Sequence, residues 1–319
     1  MAIFTNALDT PMRAACQAGV LTIGNFDGVH VGHQSLLAES ARQAQTQACA
    51  SVAVTFDPHP SRLLRPDLAG PLLTTIEDRT SLLQQYVDHV LILQTSSALL
   101  QLSARAFFEQ IIIGELHAKA LVEGFNFGFG RLREGTSEVL RALCNEQGVS
   151  LTLMPPREVL GLPVSSSRVR TELLAGAVDV VQHLLGRWHR ITGVVGVGQK
   201  RGATLGFPTA NLHQITTLLP GDGVYAVRAI LSPLASGGRG VGGEGEVWPA
   251  AANVGPNPTF GENARKVEVH LIGFAGDLYE KSLSIDFVKK IRDTKPFGSV
   301  QELVTQIKRD VNDAKEAQG

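Results

Sequence analysis

Cysteine is scarce and unpaired. Cys16, Cys49 and Cys144 are scattered, odd in number and show no CxxC spacing. The sequence therefore encodes neither a zinc site of the cysteine type nor a disulfide framework, and a reducing cytoplasm is the expected location. Surplus charge is missing too: 29 Lys and Arg stand against 30 Asp and Glu, a formal net charge of −1. No global positive field exists to hold nucleic acid or an anionic membrane, so neither is expected as a partner. Long hydrophobic runs are also absent. The longest, "VLIL" (90–93) and "FFEQIII" (107–113), are core-sized and far short of the ~20 residues a membrane helix needs. The opening "MAIFTNALDT" has no basic stretch followed by an apolar one, so no secretory leader is expected. No internal repeat is seen.

What is present is an ordinary globular balance, 44% hydrophobic and 18% charged over 319 residues, enough for two domains. The first half alternates. "GVLTIGNF", "SVAVTF", "HVLIL", "KALVEGFNF" and "VSLTLM" read as buried strands. Between and after them, "HQSLLAESARQAQTQA", "TIEDRTSLLQQY", "SARAFFEQIIIGEL", "TSEVLRALCNEQ" and "SSSRVRTELLAG" read as amphipathic helices. The prolines of "DPHP" (57–60) end the second strand. Apolar strands alternating with helices predict an α/β domain with a parallel sheet covered on both faces.

After "HLLGR" the helices stop. "HRITGVVGV", "GVYAVRAIL", "KVEVHLIGF" and "SLSIDFVKK" are strand-like and punctuated by Gly and Pro, which predicts a small antiparallel β-barrel. One helix closes it. Its "SVQE" (299–302) is a capping box, and Val300, Leu303, Val304, Ile307 and Val311 share a face. The boundary is expected near Gly186, giving domains 1–185 and 186–319. The Gly-rich "SPLASGGRGVGGEGEVWP" (232–249) reads as a flexible excursion between strands.

The stretch "GNFDGVHVGH" (24–33) stands where a strand stops and a helix starts. A helix N-terminus there presents unpaired N–H groups and roughly half a positive charge, so it attracts anions. Gly24, Gly28 and Gly32 let the backbone approach a ligand. His30 and His33, three apart, share a face of the first turn and suit phosphate oxygens. The alternatives stay open at this point: a loop histidine followed by a helix cap, or half of a metal pair with no evident third ligand. Likewise Asp57 either caps its turn or faces a ligand. Phe127 and Phe129 either alternate into the core or line a pocket. "SSSRVR" is either an N-cap run or a second phosphate clamp with Arg170 as its planar cation.

In the barrel region, "GVGQKRGATLGFPTANL" (196–212) is glycine-rich and carries Lys200 and Arg201, but matches no Walker A pattern. Thr209 and Asn211 lie two apart and project from one side of an extended chain, as hard oxygen donors suited to Mg²⁺. In "KVEVHL", Val267, Val269 and Leu271 face one way, Glu268 and His270 the other. Glu268 is therefore either a solvated residue or a carboxylate in a barrel mouth, placed to take a proton from a hydroxyl.

"GNFDGVHVGH", "TFDPHP", "EGFNFGFG" and "VSSSRVR" occur in the order and spacing of one module, and the chain resembles in them the FMN adenylyltransferase part of the bacterial bifunctional riboflavin kinase/FAD synthetases. "GFPTANL", "GVYAV", "NVGPNPTF", "VEVHL" and "DLYEKSLSIDFVKKIRD" resemble the riboflavin kinase part of the same family. The resemblance implies a nucleotidyltransferase α/β fold, Rossmann-like, followed by a six-stranded barrel with a terminal helix. It implies ATP binding by Gly24, Asn25, Phe26, Gly28, His30, His33, Ser167 and Arg170 in the first domain. In the second it implies ATP binding by Gly198, Arg201, Gly206, Pro208, Thr209 and Asn211. Thr209 and Asn211 would hold Mg²⁺, the implied cofactor, and Glu268 would be the base for the ribityl 5′-hydroxyl. Asp57, Asn126, Phe127 and Arg292 would border flavin. The implied substrates are riboflavin, FMN and ATP. "GRWH" (186–189) departs from the family's "GRPY", and the 232–249 segment is longer than its usual strand connection. Two rivals are another HxGH nucleotidyltransferase, such as a fragment of an aminoacyl-tRNA synthetase, and a nucleotide-binding regulator without catalysis. The lack of basic charge argues against the first. The intact His30, His33, Thr209, Asn211 and Glu268 argue against the second.

Overall fold

The computed structural model describes residues 2–7, 13–198, 201–231, 245–257 and 262–318. Contacts divide the chain into two compact units, Met1–Ser166 and Ser167–Gly319.

The first unit holds a parallel sheet of six strands: β1 (Ala2–Asn6), β2 (Val20–Ile23), β3 (Ser51–Asp57), β4 (His89–Gln94), β5 (Ala120–Gly124) and β6 (Ser150–Met154). Their order is β1-β4-β3-β2-β5-β6. The chain runs outward from β2 through β3 and β4, then returns to β5 on the other side of β2. That reversal is the switch point at which open α/β sheets bind ligands. Alternate residues feed opposite faces. Leu21, Val52, Val54, Leu91 and Leu121 enter one core, whereas Ala53 and Val90 enter a second beneath α1 (Val31–Thr46). A strand buried on both faces is mostly apolar, and the exceptions here are few, Thr22 in β2, Ser51 and Thr55 in β3 and Glu123 in β5.

Three features depart from the sequence pattern. β1 pairs in register with β4, from Ala2↔His89 to Asn6↔Leu93; its apolar Ile3 is exposed and its polar Asn6 buried, so its sequence does not announce a buried strand. The helix expected over 103–116 is α-wound only at Ala104–Phe107 and continues as a wider π-wound stretch, Phe108–Glu115. Phe107, Phe108, Ile111 and Ile112 are buried along it. A small hairpin, β7 (Glu158–Val159) with β8 (Leu162–Pro163), precedes α2 (Ser166–Leu174).

The second unit contains α2 beyond Ser166, α3 (Val178–Leu185) and a closed antiparallel barrel. Its strands are β9 (His189–Gly196), β10 (Ala210–His213), β11 (Gly223–Leu231), β12 (Glu246–Asn257), β13 (Glu262–Leu271) and β14 (Ser282–Arg292). They close in the order β10-β13-β12-β11-β14-β9. Tyr225 and Phe287 meet edge to face at 5.3 Å among the buried interior residues. In the departing "GRWH" motif, Trp188 lies under the Arg228 guanidinium, 4.7 Å from its ring centre, and so packs against the wall of β11.

The excursion expected over 232–249 needs correction. Residues 232–244 lie outside the described residues, but 246–249 belong to β12 and pair with 228–231 of β11. Pro249 and the glycines beside the strand hid it.

The final helix, α4 (Val300–Glu316), lies on the outside of the barrel, where Ala314, Val311 and Ala317 pack on Ala226, Ala251 and Ile291. Ser299 Oγ accepts the Glu302 N–H at 3.2 Å, as the capping box requires, but the Glu302 carboxylate accepts from Gly298 N rather than Ser299. Val300, expected on the buried face, is exposed at 52%. Asp310 is buried, gripped by Arg292 through Nε at 3.0 Å and Nη2 at 2.7 Å.

Candidate active sites

His30 is the N-cap of α1, and its Nδ1 accepts the His33 N–H at 3.3 Å. An accepting Nδ1 puts the proton of a neutral ring on Nε2, which is thereby a donor. The His30 and His33 rings stack 3.6 Å apart at 16°, and Phe26 meets His33 edge-on at 5.2 Å. Burial, the neighbouring His30 ring and the Arg79 guanidinium hold His33 well below the usual imidazole range. His33 therefore stays uncharged, and the two rings stand beside the positive end of a helix, a combination suited to phosphate oxygens.

The loop carrying them is strained and clamped. Phe26 and Val29 sit at φ 48° and 39°, where a β-branched residue is rare, while Gly28 takes φ 83° freely. The Asp27 carboxylate accepts from Leu73 N (3.0 Å), Thr74 N (3.1 Å) and the Thr74 hydroxyl (3.2 Å). Ser166 Oγ donates to the Asp27 carbonyl at 2.8 Å. Arg79, 1% exposed, donates to the Phe56 carbonyl at 3.4 Å, and its Nε has no hydrogen-bond partner among the described residues. Sequence reading missed both Asp27 and Arg79.

The other expected residues of this unit stand on the same carboxyl edge. Asp57 ends β3 and is exposed; Asn126 lies in the turn after β5 and is exposed. Asn25 accepts the Thr55 hydroxyl through its carbonyl at 3.2 Å, tying the histidine loop to β3. Phe127 is half-buried and stacked on Phe129 at 5.3 Å, against the main core. Ser167 and Arg170 belong instead to the second unit, where they lie one turn apart in α2; Ser167 is exposed and Arg170 half-buried.

At the switch point, the buried Glu123 side chain accepts the Ile23 N–H at 2.8 Å, just past the last β2–β5 backbone pairing. Burial pushes this carboxyl well above the usual carboxylate range. The folded state then keeps a proton that the unfolded chain releases. The stability this confers is full at low pH and is lost as pH rises through the folded value. Glu123→Gln keeps an acceptor and removes the ionisation. Melting curves from about pH 5 to about pH 8 are expected to show the wild type losing ground to the variant as pH rises. A difference that does not change with pH refutes this.

In the barrel, Asn211 and Glu268 are direct cross-strand partners of β10 and β13. Val267 and Val269 are buried, and Glu268 and His270 half-buried, as the alternation predicts. Their face is the outward one. His270 shares a row with Ala251 and Ala226, on which α4 packs, so the site lies on the wall and not in the mouth first expected. His270 Nδ1 donates to the Pro208 carbonyl at 2.8 Å, and its ring meets Phe207 at 5.6 Å, docking the "PTAN" turn onto β13.

Gly198 and Gly202 come up against this turn. A Cβ on Gly198 would collide with the Asn211 carboxamide, and one on Gly202 would strike the Phe207 carbonyl and stand 3.3 Å from Thr209 Oγ1. Both positions must be glycine for the backbone to come so close. Two hard oxygen donors held under a glycine-rich backbone fit a Mg²⁺ that takes its remaining ligands from phosphates and water. Of Arg201, which opens a short helix (Arg201–Thr204), only the backbone is described. Gly206 follows at φ 86°.

The FAD synthetase family matches residues 13–168 and the riboflavin kinase family residues 185–318. The bifunctional riboflavin kinase/FMN adenylyltransferase of Pseudomonas fluorescens is 37% identical over 94% of this chain and 93% of its own length. That of Bacillus subtilis is 33% identical over 92% and 91%. A solved structure from Streptococcus pneumoniae, described as a macrolide-efflux protein, is 30% identical with a TM-score of 0.84, covering 98% of this chain and 99% of that one. Among the described residues, no helix is long and apolar enough to cross a membrane.

Proposed function

This chain belongs to the bifunctional riboflavin kinase/FMN adenylyltransferase family, and from that premise we propose which residues carry each step. The barrel phosphorylates riboflavin to FMN, and the α/β unit adenylylates FMN to FAD. We take Gly186, beside the start of the riboflavin kinase match at 185, as the working boundary between the two activities.

In the kinase, Glu268 accepts the proton of the ribityl 5′-hydroxyl as its oxygen attacks the γ-phosphorus of ATP. Asn211 stands beside it, on the side where the glycine-rich 198–206 backbone covers the nucleotide. Bound Mg²⁺ would neutralise the developing phosphate charge, held by Thr209 Oγ1 and the Asn211 carboxamide oxygen. Arg292 borders the flavin while Asp310 fixes its guanidinium.

In the adenylyltransferase, the FMN phosphate attacks the α-phosphorus of a second ATP and pyrophosphate leaves. The attacking phosphate is already ionised at neutral pH, so no strong base is required. His30 and His33 donate to the phosphates while their charge grows, with Gly24, Asn25, Phe26 and Gly28 forming the backbone cradle. Ser167 and Arg170 act as a second clamp, and Asp57, Asn126 and Phe127 border the flavin. A single observation carries this reading: two stacked imidazoles, one capping a helix with the other held uncharged, at the switch point of a parallel sheet. The test is direct. Purified protein incubated with riboflavin and Mg-ATP is expected to yield FMN first and FAD later by chromatography. FMN without FAD, or neither, overturns the reading.

A further inference from the structure

Cross-strand partners on the outward face of the barrel wall form one continuous belt. It runs Gly196↔Asn211, Asn211↔Glu268, Glu268↔Asn253, Asn253↔Val224 and Val224↔Arg292. It therefore crosses all six strands. Directly opposed residues of an antiparallel pair lie side by side on one face. Glu268 is thus flanked by two carboxamides, Asn211 on β10 and Asn253 on β12. Asn253 is half-buried between the buried Ala252 and Val254, so it shares the face of Glu268.

The order along the belt matches the order of groups in phosphoryl transfer. The attacking and leaving oxygens lie roughly in line across the transferred phosphorus. With the nucleotide on the Asn211 side and the base at Glu268, the acceptor approaches from the β12 side. The next polar group in that direction is the Asn253 carboxamide, one strand spacing of about 4.8 Å away. Vicinal hydroxyls of a ribityl chain lie closer together than that, and side chains opposed on neighbouring strands can converge to reach two of them. A carboxamide both donates and accepts, as a hydroxyl does. Beyond it the belt turns apolar at the buried Val224, suited to the flavin ring system rather than to a further hydroxyl.

We propose that Asn253 binds the ribityl 4′-hydroxyl, next to the one that is phosphorylated, and so sets the kinase's preference for a polyol side chain. This rests on Glu268 as the kinase base. If Glu268→Gln leaves FMN formation intact, that assignment fails and not the hydrogen bond tested here.

The experiment compares riboflavin with 4′-deoxyriboflavin as acceptors for the full chain. Wild type is expected to lose about tenfold in kcat/KM on the deoxy acceptor, the scale of one neutral hydrogen bond. Asn253→Ala is expected to lose about tenfold on riboflavin and nothing further on the analogue, so that the two acceptors become equal. The KM for ATP and the conversion of added FMN to FAD stay at wild-type values. Asn253→Ser, a milder change, is carried alongside and is expected to fall between the two. Equal use of both acceptors by wild type overturns the proposal, with no variant needed. So does a variant that slows both acceptors alike while still discriminating between them.

Discussion

Glu268→Gln is expected to slow FMN formation from riboflavin by a factor of about 10²–10⁴, the usual worth of a positioned general base. FMN supplied from outside should still become FAD at the wild-type rate. The substitution keeps the shape of a half-buried residue between two asparagines, so the wall of the barrel has no cavity to repair. It removes only the ability to take a proton. Each unit has its own core, the sheet and its helices in one and the barrel interior in the other, so a local defect has no route to the second activity. Rates with each flavin, separated by chromatography, decide it. Loss of both steps in a variant that circular dichroism shows to be folded means that the two chemistries are coupled.

The mirror experiment is His33→Ala. FAD formation is expected to fall by about 10²–10³, by analogy with losing one preorganised donor to a developing oxyanion. FMN should then accumulate from riboflavin. The imidazole is held uncharged by burial, by His30 and by Arg79, so its contribution is an oriented N–H rather than a net charge. Lysine at this position is not expected to restore the rate, because a cation would be desolvated beside the Arg79 guanidinium. Wild-type adenylylation by His33→Ala means that the histidine loop serves only to cap α1.

The sites differed in how far they could be read from sequence. The histidine loop was visible because a mostly apolar strand run gives way to helical spacing at one point, and the residues that break the pattern are Gly and His. The Asp27 clamp was not, because its partners Leu73 and Thr74 lie 46 and 47 residues away. Arg79 looked like any helix residue until the fold buried it. In the barrel, alternation assigned Glu268 to a face, but alternation cannot say which residue of another strand stands beside it. That depends on register, and register is set by the closure of the whole barrel. The adjacency of Asn211, Glu268 and Asn253 therefore appears only in three dimensions. Arg292 was expected at the flavin; in the fold its guanidinium grips Asp310 and anchors the closing helix.

Leu231 and Glu246 are direct partners in the β11–β12 ladder. Whatever chain runs between them begins and ends one strand spacing apart, and the register beyond is fixed by the eight further pairs down to Gly223↔Val254. Lengthening a segment held this way costs only the slow logarithmic growth of loop entropy. The barrel thus contains a port: a reporter, an affinity tag or a whole guest domain with close termini can be spliced there without resetting a single strand. The same arithmetic lets this connection drift in length between relatives while the belt that carries Glu268 stays in register.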